Sequence, residues 1–432
     1  MGERARLHDQ RDPGRQGRGG LPGVHRPEGA PASLTLLRLA DFRRLGTAMV
    51  LNAVGMVGEV VVLGWLTLEL TNSPFLVGVA MGMRGLPMFF VGVPAGVLAD
   101  RFPRHRLLMA TGALQAVTTA TLGVLTLTGL VTLTHVLLLT LAGGAMRGIE
   151  HSARQSYTHD VVGPTELMHG FAILGVGTRA GWLLGSLGTG AVIAHFGSGL
   201  AYLAVGASYL AGSAALLSAS APVGTTPPAA GSLWQSIVDF VTAMRKDPVL
   251  PALMLLTAGA EILGFAHQAL FPSLARDVLG VGPEGLGAMN AARSVGGILG
   301  LIVVTMRSAT MGGGVLFLAV LVAFGASLVV LGFAPALVGF TGVIVILIVA
   351  NAAGALADLL AQSLMQLSVP AHLRGRAGGA WVVAIGLGPL GHLQIGALAS
   401  LFGVGVALGT SGAALVTLAL AGALLFPRVR RL

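Results

Sequence analysis

Apolar residues fill this chain in long blocks rather than in an alternating or one-faced pattern. Blocks fall at about 45–70, 76–99, 107–128, 133–150, 167–196 and 199–219, and after a polar stretch at 249–272, 285–306, 313–332, 337–358, 377–401 and 404–426. A helix of roughly 20 such residues crosses the hydrocarbon layer of a bilayer. No Asp, Glu, Lys or Arg occurs from Leu107 to Met146, Ala180 to Val238, Ser308 to Ala357 or Ala377 to Pro427, so each of these runs has room for two crossings and a tight turn. The pattern predicts an all-α integral membrane protein with twelve transmembrane helices in two six-helix halves. A disordered cytoplasmic tail is expected at 1–44, the first half at 45–219, a linker at 220–248, the second half at 249–426 and a short tail at 427–432. The linker carries Leu233, Trp234, Ile237, Val241 and Met244 at helical spacing, which predicts a short interfacial helix.

Composition moves the solvent from water to lipid. The 432 residues are 54% hydrophobic and 10% charged, against roughly 25% charged in soluble domains. Cysteine is absent, which excludes disulfides and thiolate metal sites. Residues 1–33 are rich in Arg, Gly and Pro and contain no apolar core of a secretory leader. The net charge of +9 does not read as a nucleic-acid surface, because the basic residues are dispersed among the loops. Arg101, Arg104, Arg106, Arg147, Arg154, Arg245, Lys246, Arg307, Arg374 and Arg376 read as residues of the loops after even-numbered helices, and the opposite loops hold only Arg276. That bias predicts a multi-pass protein of the cell membrane with both termini cytoplasmic.

The segment after the second block reads Gly96-Val-Leu-Ala-Asp100-Arg101-Phe-Pro-Arg104-His-Arg106. It resembles the loop signature of the major facilitator superfamily, in the position that superfamily gives it. Four further stretches resemble the bacterial branch of the enterobactin exporter and its macrolide-efflux relatives. They are Leu63-Gly-Trp65-Leu-Thr-Leu-Glu69, Ala153-Arg154-Gln155-Ser156, Leu270-Phe-Pro272-Ser-Leu-Ala-Arg276-Asp277 and Val369-Pro370-Ala-His-Leu-Arg374-Gly375-Arg376. The resemblance implies the facilitator fold, a cavity between the halves and a conformational latch at Gly96, Asp100, Arg101 and Arg104. Two departures stand out. The fifth block reads Gly181-Trp182-Leu-Leu-Gly185, without the Gly-Pro of the antiporter motif, and only Arg307 marks the loop between blocks eight and nine.

Ionisable residues at bilayer depth cost at least ~2.5–3.5 kcal/mol on insertion scales and therefore mark function by default. Glu59 and Arg84 lie roughly 21 and 22 Å from the cytoplasmic ends of their helices, a depth at which they can pair. Glu261 and Arg293 repeat the arrangement in the second half at roughly 17 and 20 Å. Arg179, in the fifth block, has no acid of its own, and by resemblance it approaches Arg293. His392 with Gln394, and His267 with Gln268, are polar where apolar residues are expected. A histidine there can carry a proton or simply bond a neighbouring helix. The candidate proton and substrate residues are Glu59, Arg84, Arg179, Glu261, Arg293 and His392.

No Walker loop, H-E-x-x-H or G-x-S-x-G occurs, so the chain does not read as an enzyme and implies no cofactor and no metal. The expected function is secondary active export of a small amphiphilic compound (a drug, siderophore or secondary metabolite) by alternating access, with proton coupling as in an antiporter of the cell inner membrane. A facilitator or importer of another solute, or a receptor on the same scaffold, are the alternatives. Expected partners are the substrate, protons and the lipid bilayer, with the protein acting as a monomer and without nucleic acid.

Overall fold

The computed structural model describes residues 36–163, 166–219, 248–306, 312–369 and 374–432. The predicted tail to residue 35 and the interfacial helix of the linker lie outside them. Ala40–Thr71 (α1), Pro74–Arg101 (α2), Arg104–Leu127 (α3) and Leu133–Val162 (α4) open the chain. Leu167–Ala215 is one helical run that turns at Gly197 into α5 (167–196) and α6 (198–215). Val249–Val278 is α7 and Gly282–Met306 is α8. Gly313–Leu367 turns at Gly339 into α9 (313–338) and α10 (340–367). Arg374–Ile385 and Gly388–Phe402 form the interrupted α11, Val404–Leu425 is α12, and the short Pro427–Arg430 is α13. The described residues thus build an all-α membrane protein of twelve crossings.

Two boundaries differ from the sequence expectation. α1 begins at Ala40, inside the stretch expected to be tail, because Phe42 and Leu45 are buried against a cluster that includes Tyr157 and Leu174. α4 continues well past residue 150, to Val162. Its charges, which read as loop, are absorbed by partners: Arg147 binds Glu59, Glu150 lies 3.4 Å from Arg154, and Asp160 pairs with Arg104 of α3. Arg147 is therefore a residue of the helix interior and not a topology signal.

The two halves meet along two seams, α2 on α11 and α5 on α8. Both are set by glycines. A methyl group on Gly396 would stand 2.9 Å from the Pro74 carbonyl oxygen, with the Gly78 Cα behind it, and one on Gly287 would stand 2.6 Å from the Ser186 carbonyl oxygen, beside the Gly190 Cα, closer than side chains permit. These four glycines are related by an internal repeat. Pro74 and Gly78 match Pro283 and Gly287, and Arg84 matches Arg293, all at one offset of 209 residues. Phe196-Gly197-Ser-Gly199-Leu-Ala201 matches Phe402-Gly403-Val-Gly405-Val-Ala407, with Gly190 and Gly396 each seven residues upstream of the turn. The turn glycines share one backbone conformation, φ 81°, ψ 169° at Gly197 and φ 87°, ψ 159° at Gly403, which a side chain excludes. One repeated glycine pair thus closes both seams.

Other close contacts between the halves gather on the same face, away from the chain ends. Phe75 N–H donates to Ser400 Oγ at 2.9 Å, Arg276 Nη1 donates to the Leu68 carbonyl at 3.1 Å, and Gly64 packs on Pro272.

Candidate functional site

α1, α2, α4 and α6 bring four polar side chains to one point at mid-membrane depth. Glu59 is 5% exposed. Arg147 Nη1 donates to both of its oxygens, at 2.8 and 2.7 Å, and the Tyr209 hydroxyl donates to Oε2 at 2.8 Å. Arg84 Nε stands farther off, 3.7 Å from Oε1, while its Nη2 donates to the Met56 carbonyl at 3.1 Å. Arg147 Nη2 in turn donates to the Arg84 carbonyl at 3.1 Å. The expected pairing of Glu59 with Arg84 is thus a three-way pairing in which Arg147 is the nearer cation. A buried carboxylate is tolerated only when its lone pairs are occupied in this way.

The second half is built differently. Counting back fifteen residues from Pro74 reaches Glu59, and the same count back from Pro283 reaches Gln268. Glu261 lies a further seven residues away, about two turns closer to the terminus-bearing face. For this reason Glu261 and Arg293 act on each other through space but make no direct ion pair, and neither has a hydrogen bond or ion pair among the described residues. Glu261 instead opens a π-helical turn, Ala260–Gly264, and its Oε2 faces Gly388 of α11. A 3-10 segment, Phe265–Leu270, follows. Gly264 has no side chain where the Phe324 ring leans in, and Phe265 stacks on that ring with centroids 5.1 Å apart. Irregular helical turns of this kind concentrate at functional sites, and broken helices line transporter cavities.

A cavity of about 260 Å³ lies between the halves beside this break. Met56, Val57, Val60, Trp182 and Phe265 give it an apolar wall. Gln268, Asn290, Ser294 and Asn351 give it a polar one. Arg84, Arg179, Arg293 and Asp358 reach it as well. The Arg179 guanidinium lies 5.7 Å from the centre of the Trp182 ring, and a methyl group on Gly297 would stand 3.0 Å from its Nη1. Asp358 accepts from Trp381 Nε1 at 2.9 Å.

The remaining candidates do not line this cavity, although His392 lies within electrostatic reach of Arg84 and Arg293. His392 is on α11 against α2, with its carbonyl over Gly78 and its Nδ1 lacking a partner among the described residues. His267 is fully buried, its Nδ1 2.7 Å from the Gly264 carbonyl and its ring edge-on to Phe271. Arg104 braces α3 to α4 through Asp160, within one half. Gly96, Asp100 and Arg101 fall in the last turns of α2, and their side chains lie outside the described residues. Sequence reading missed Arg147 and Tyr209. A signal for the first was present, since the apolar block 133–150 already contains Arg147.

These features define a membrane transporter of the major facilitator fold. Solved structures similar to it include the nucleoside transporter NupG, at TM-score 0.72 and 15% identity over 89% of this chain and 99% of that one. A bacterial homologue of the human lysosomal transporter Spinster, in an inward-facing and unoccupied conformation, matches at TM-score 0.72 and 15% identity over 93% and 97%. The peptide transporter POT matches at 0.72 and 15% over 90% and 95%. At this identity the likeness shows the fold. A comparison with curated protein sequences returns no match. The family model of transmembrane secretion effectors matches residues 31–431, and the chain belongs to that family.

Proposed function

We propose that this protein exports a small amphiphilic organic compound, such as a drug, siderophore or secondary metabolite, by alternating access driven by proton entry. The observation that carries this reading is the cavity with one apolar and one polar wall, set between halves whose glycine seams close toward one face. On this reading the structure is the inward-open state. The basic bias of the sequence makes the terminus-bearing face cytoplasmic, in the cell inner membrane. Asp100 and Arg101 then latch the halves in the opposite, outward-open state. The family's description as secretion effectors and the resemblance to the enterobactin and macrolide exporters support outward transport.

The test is flux in proteoliposomes over a compound panel, with and without an imposed pH gradient. Gly190→Val serves as an internal control: its side chain wedges the α5–α8 seam, so alternation and flux should fall while the fold persists. No flux of any compound by the wild-type protein, or wedge flux equal to wild type, would count against alternating access.

Orientation has its own test, made simple by the absence of native cysteine. Cysteines at the exposed positions Leu130 and Glu284 should react from outside the cell with an impermeant maleimide. Cysteines at Arg106 and Gln155 should react only after the membrane is opened. External labelling of the latter two would reverse the assigned direction.

A further inference from the structure

We infer that the transported compound carries an anionic group, such as a carboxylate, and that Arg293 and Arg179 hold it. This rests on the transport reading and names the chemistry of its substrate. The internal repeat makes Arg293 the counterpart of Arg84. Arg84 faces a carboxylate, Glu59, but the matching position in the second half is the amide Gln268. Gln268 and Arg293 line one cavity, so the second half presents the cation and leaves out the carboxylate at the matching position. Arg179 adds a second cation. Its Nη1 lies over Gly297, one turn along α8 from Arg293, which sets the two guanidinium groups over one stretch of helix.

The surrounding charges do not neutralise them. Glu59 is shared between Arg147 and Arg84, Asp358 is held by Trp381, and Glu261 acts on Arg293 only through space, with its Oε2 toward Gly388 and no hydrogen bond or ion pair to the guanidinium among the described residues. With all three carboxylates ionised, the four arginines still leave the midplane net positive. That leaves one positive charge in excess at bilayer depth, and Arg293 and Arg179, which no carboxylate bonds directly, are the groups with room for an anion. Their planar forks bind a carboxylate through paired hydrogen bonds. The compound's apolar part then rests on Met56, Val57, Val60, Trp182 and Phe265.

Binding to the purified protein in phosphatidylcholine nanodiscs tests this without any requirement for transport. The probes are 2-naphthoate, its neutral amide and the cationic 2-naphthylmethylamine. Naphthoate should bind more tightly than the amide by about tenfold or more, the range expected for hydrogen bonds to a charged group, and the amine should bind least. Arg293→Gln and Arg179→Gln should each weaken naphthoate by about tenfold, with Arg→Lys restoring part of it. The decisive variant is Gln268→Glu, which supplies the carboxylate the second half lacks. It should raise the melting temperature and abolish naphthoate binding. Equal binding of the three probes, or naphthoate binding untouched by Gln268→Glu, would overturn the proposal. So would displacement of naphthoate by equimolar inorganic phosphate, or its loss in phosphatidylglycerol nanodiscs, which would assign the arginines to an inorganic ion or a lipid headgroup. Naphthoate binding without flux of any compound retains the anion site and removes the transport reading. Flux of other compounds without naphthoate binding does the reverse.

Discussion

Glu59→Gln is expected to destabilise the protein by about 3–5 kcal/mol, the cost of leaving buried cations without their counter-ion. The carboxylate accepts four contacts, two from Arg147, one from Tyr209 and the longer one from Arg84. An amide offers one oxygen in place of two and turns an N–H₂ toward a guanidinium. Arg147 and Arg84 then stand beside each other uncompensated, in a site where lipid and packed helices leave little water to screen them. Thermal unfolding in detergent checks this. Tyr209→Phe, which removes one neutral donor, should cost about 1–2 kcal/mol. Glu59→Gln combined with Arg147→Gln should lose clearly less than the two single changes together, because the pair goes as a unit. A Glu59→Gln protein with wild-type melting temperature would show that Glu59 is solvated and that the cluster does not hold α1, α2, α4 and α6 together.

Much of this architecture is legible in the sequence because lipid imposes a single rule: every crossing must be a long apolar helix. The turns at Gly197 and Gly403 fall between neighbouring blocks, and Arg84, Arg179 and Arg293 announce themselves as charges within apolar runs. The failures have one cause. A charge close to the end of a block reads equally well as loop, so the pattern places Arg147 at the surface although its helix runs on to Val162. Partners from other helices decide such cases, and sequence spacing does not contain them. The same limit applies to Glu261. Its depth is close to that of Glu59, but depth alone does not say which residue of the repeat it matches. The repeat anchored at Pro74 and Pro283 corrects the register and returns Gln268 as the counterpart of Glu59.

Glu261→Gln is expected to uncouple transport from the pH gradient while preserving exchange of substrate down its own gradient. Glu59 and Glu261 occupy opposite situations. Glu59 is bound on both oxygens by Arg147, so protonating it would mean breaking a buried ion pair. Glu261 has no ion pair or hydrogen bond among the described residues, so it can take up and release a proton at far smaller cost. It also sits where structure changes most readily. It opens the π-helical turn of α7 and faces Gly388, just beyond the interruption of α11 between Ile385 and Gly388. Movement of either helix alters whether that carboxyl meets water or apolar wall, which is the coupling a proton-driven cycle requires. Flux in liposomes at equal and unequal pH separates the outcomes. The variant should match wild type in substrate exchange at equal pH, and its pH-driven accumulation should fall to the level set by the substrate gradient alone. Loss of both activities would assign Glu261 to the substrate site or to the fold. Full pH-driven accumulation would remove Glu261 as the carrier and pass the role to His392, whose Nδ1 is buried without a partner on the adjoining α2–α11 seam.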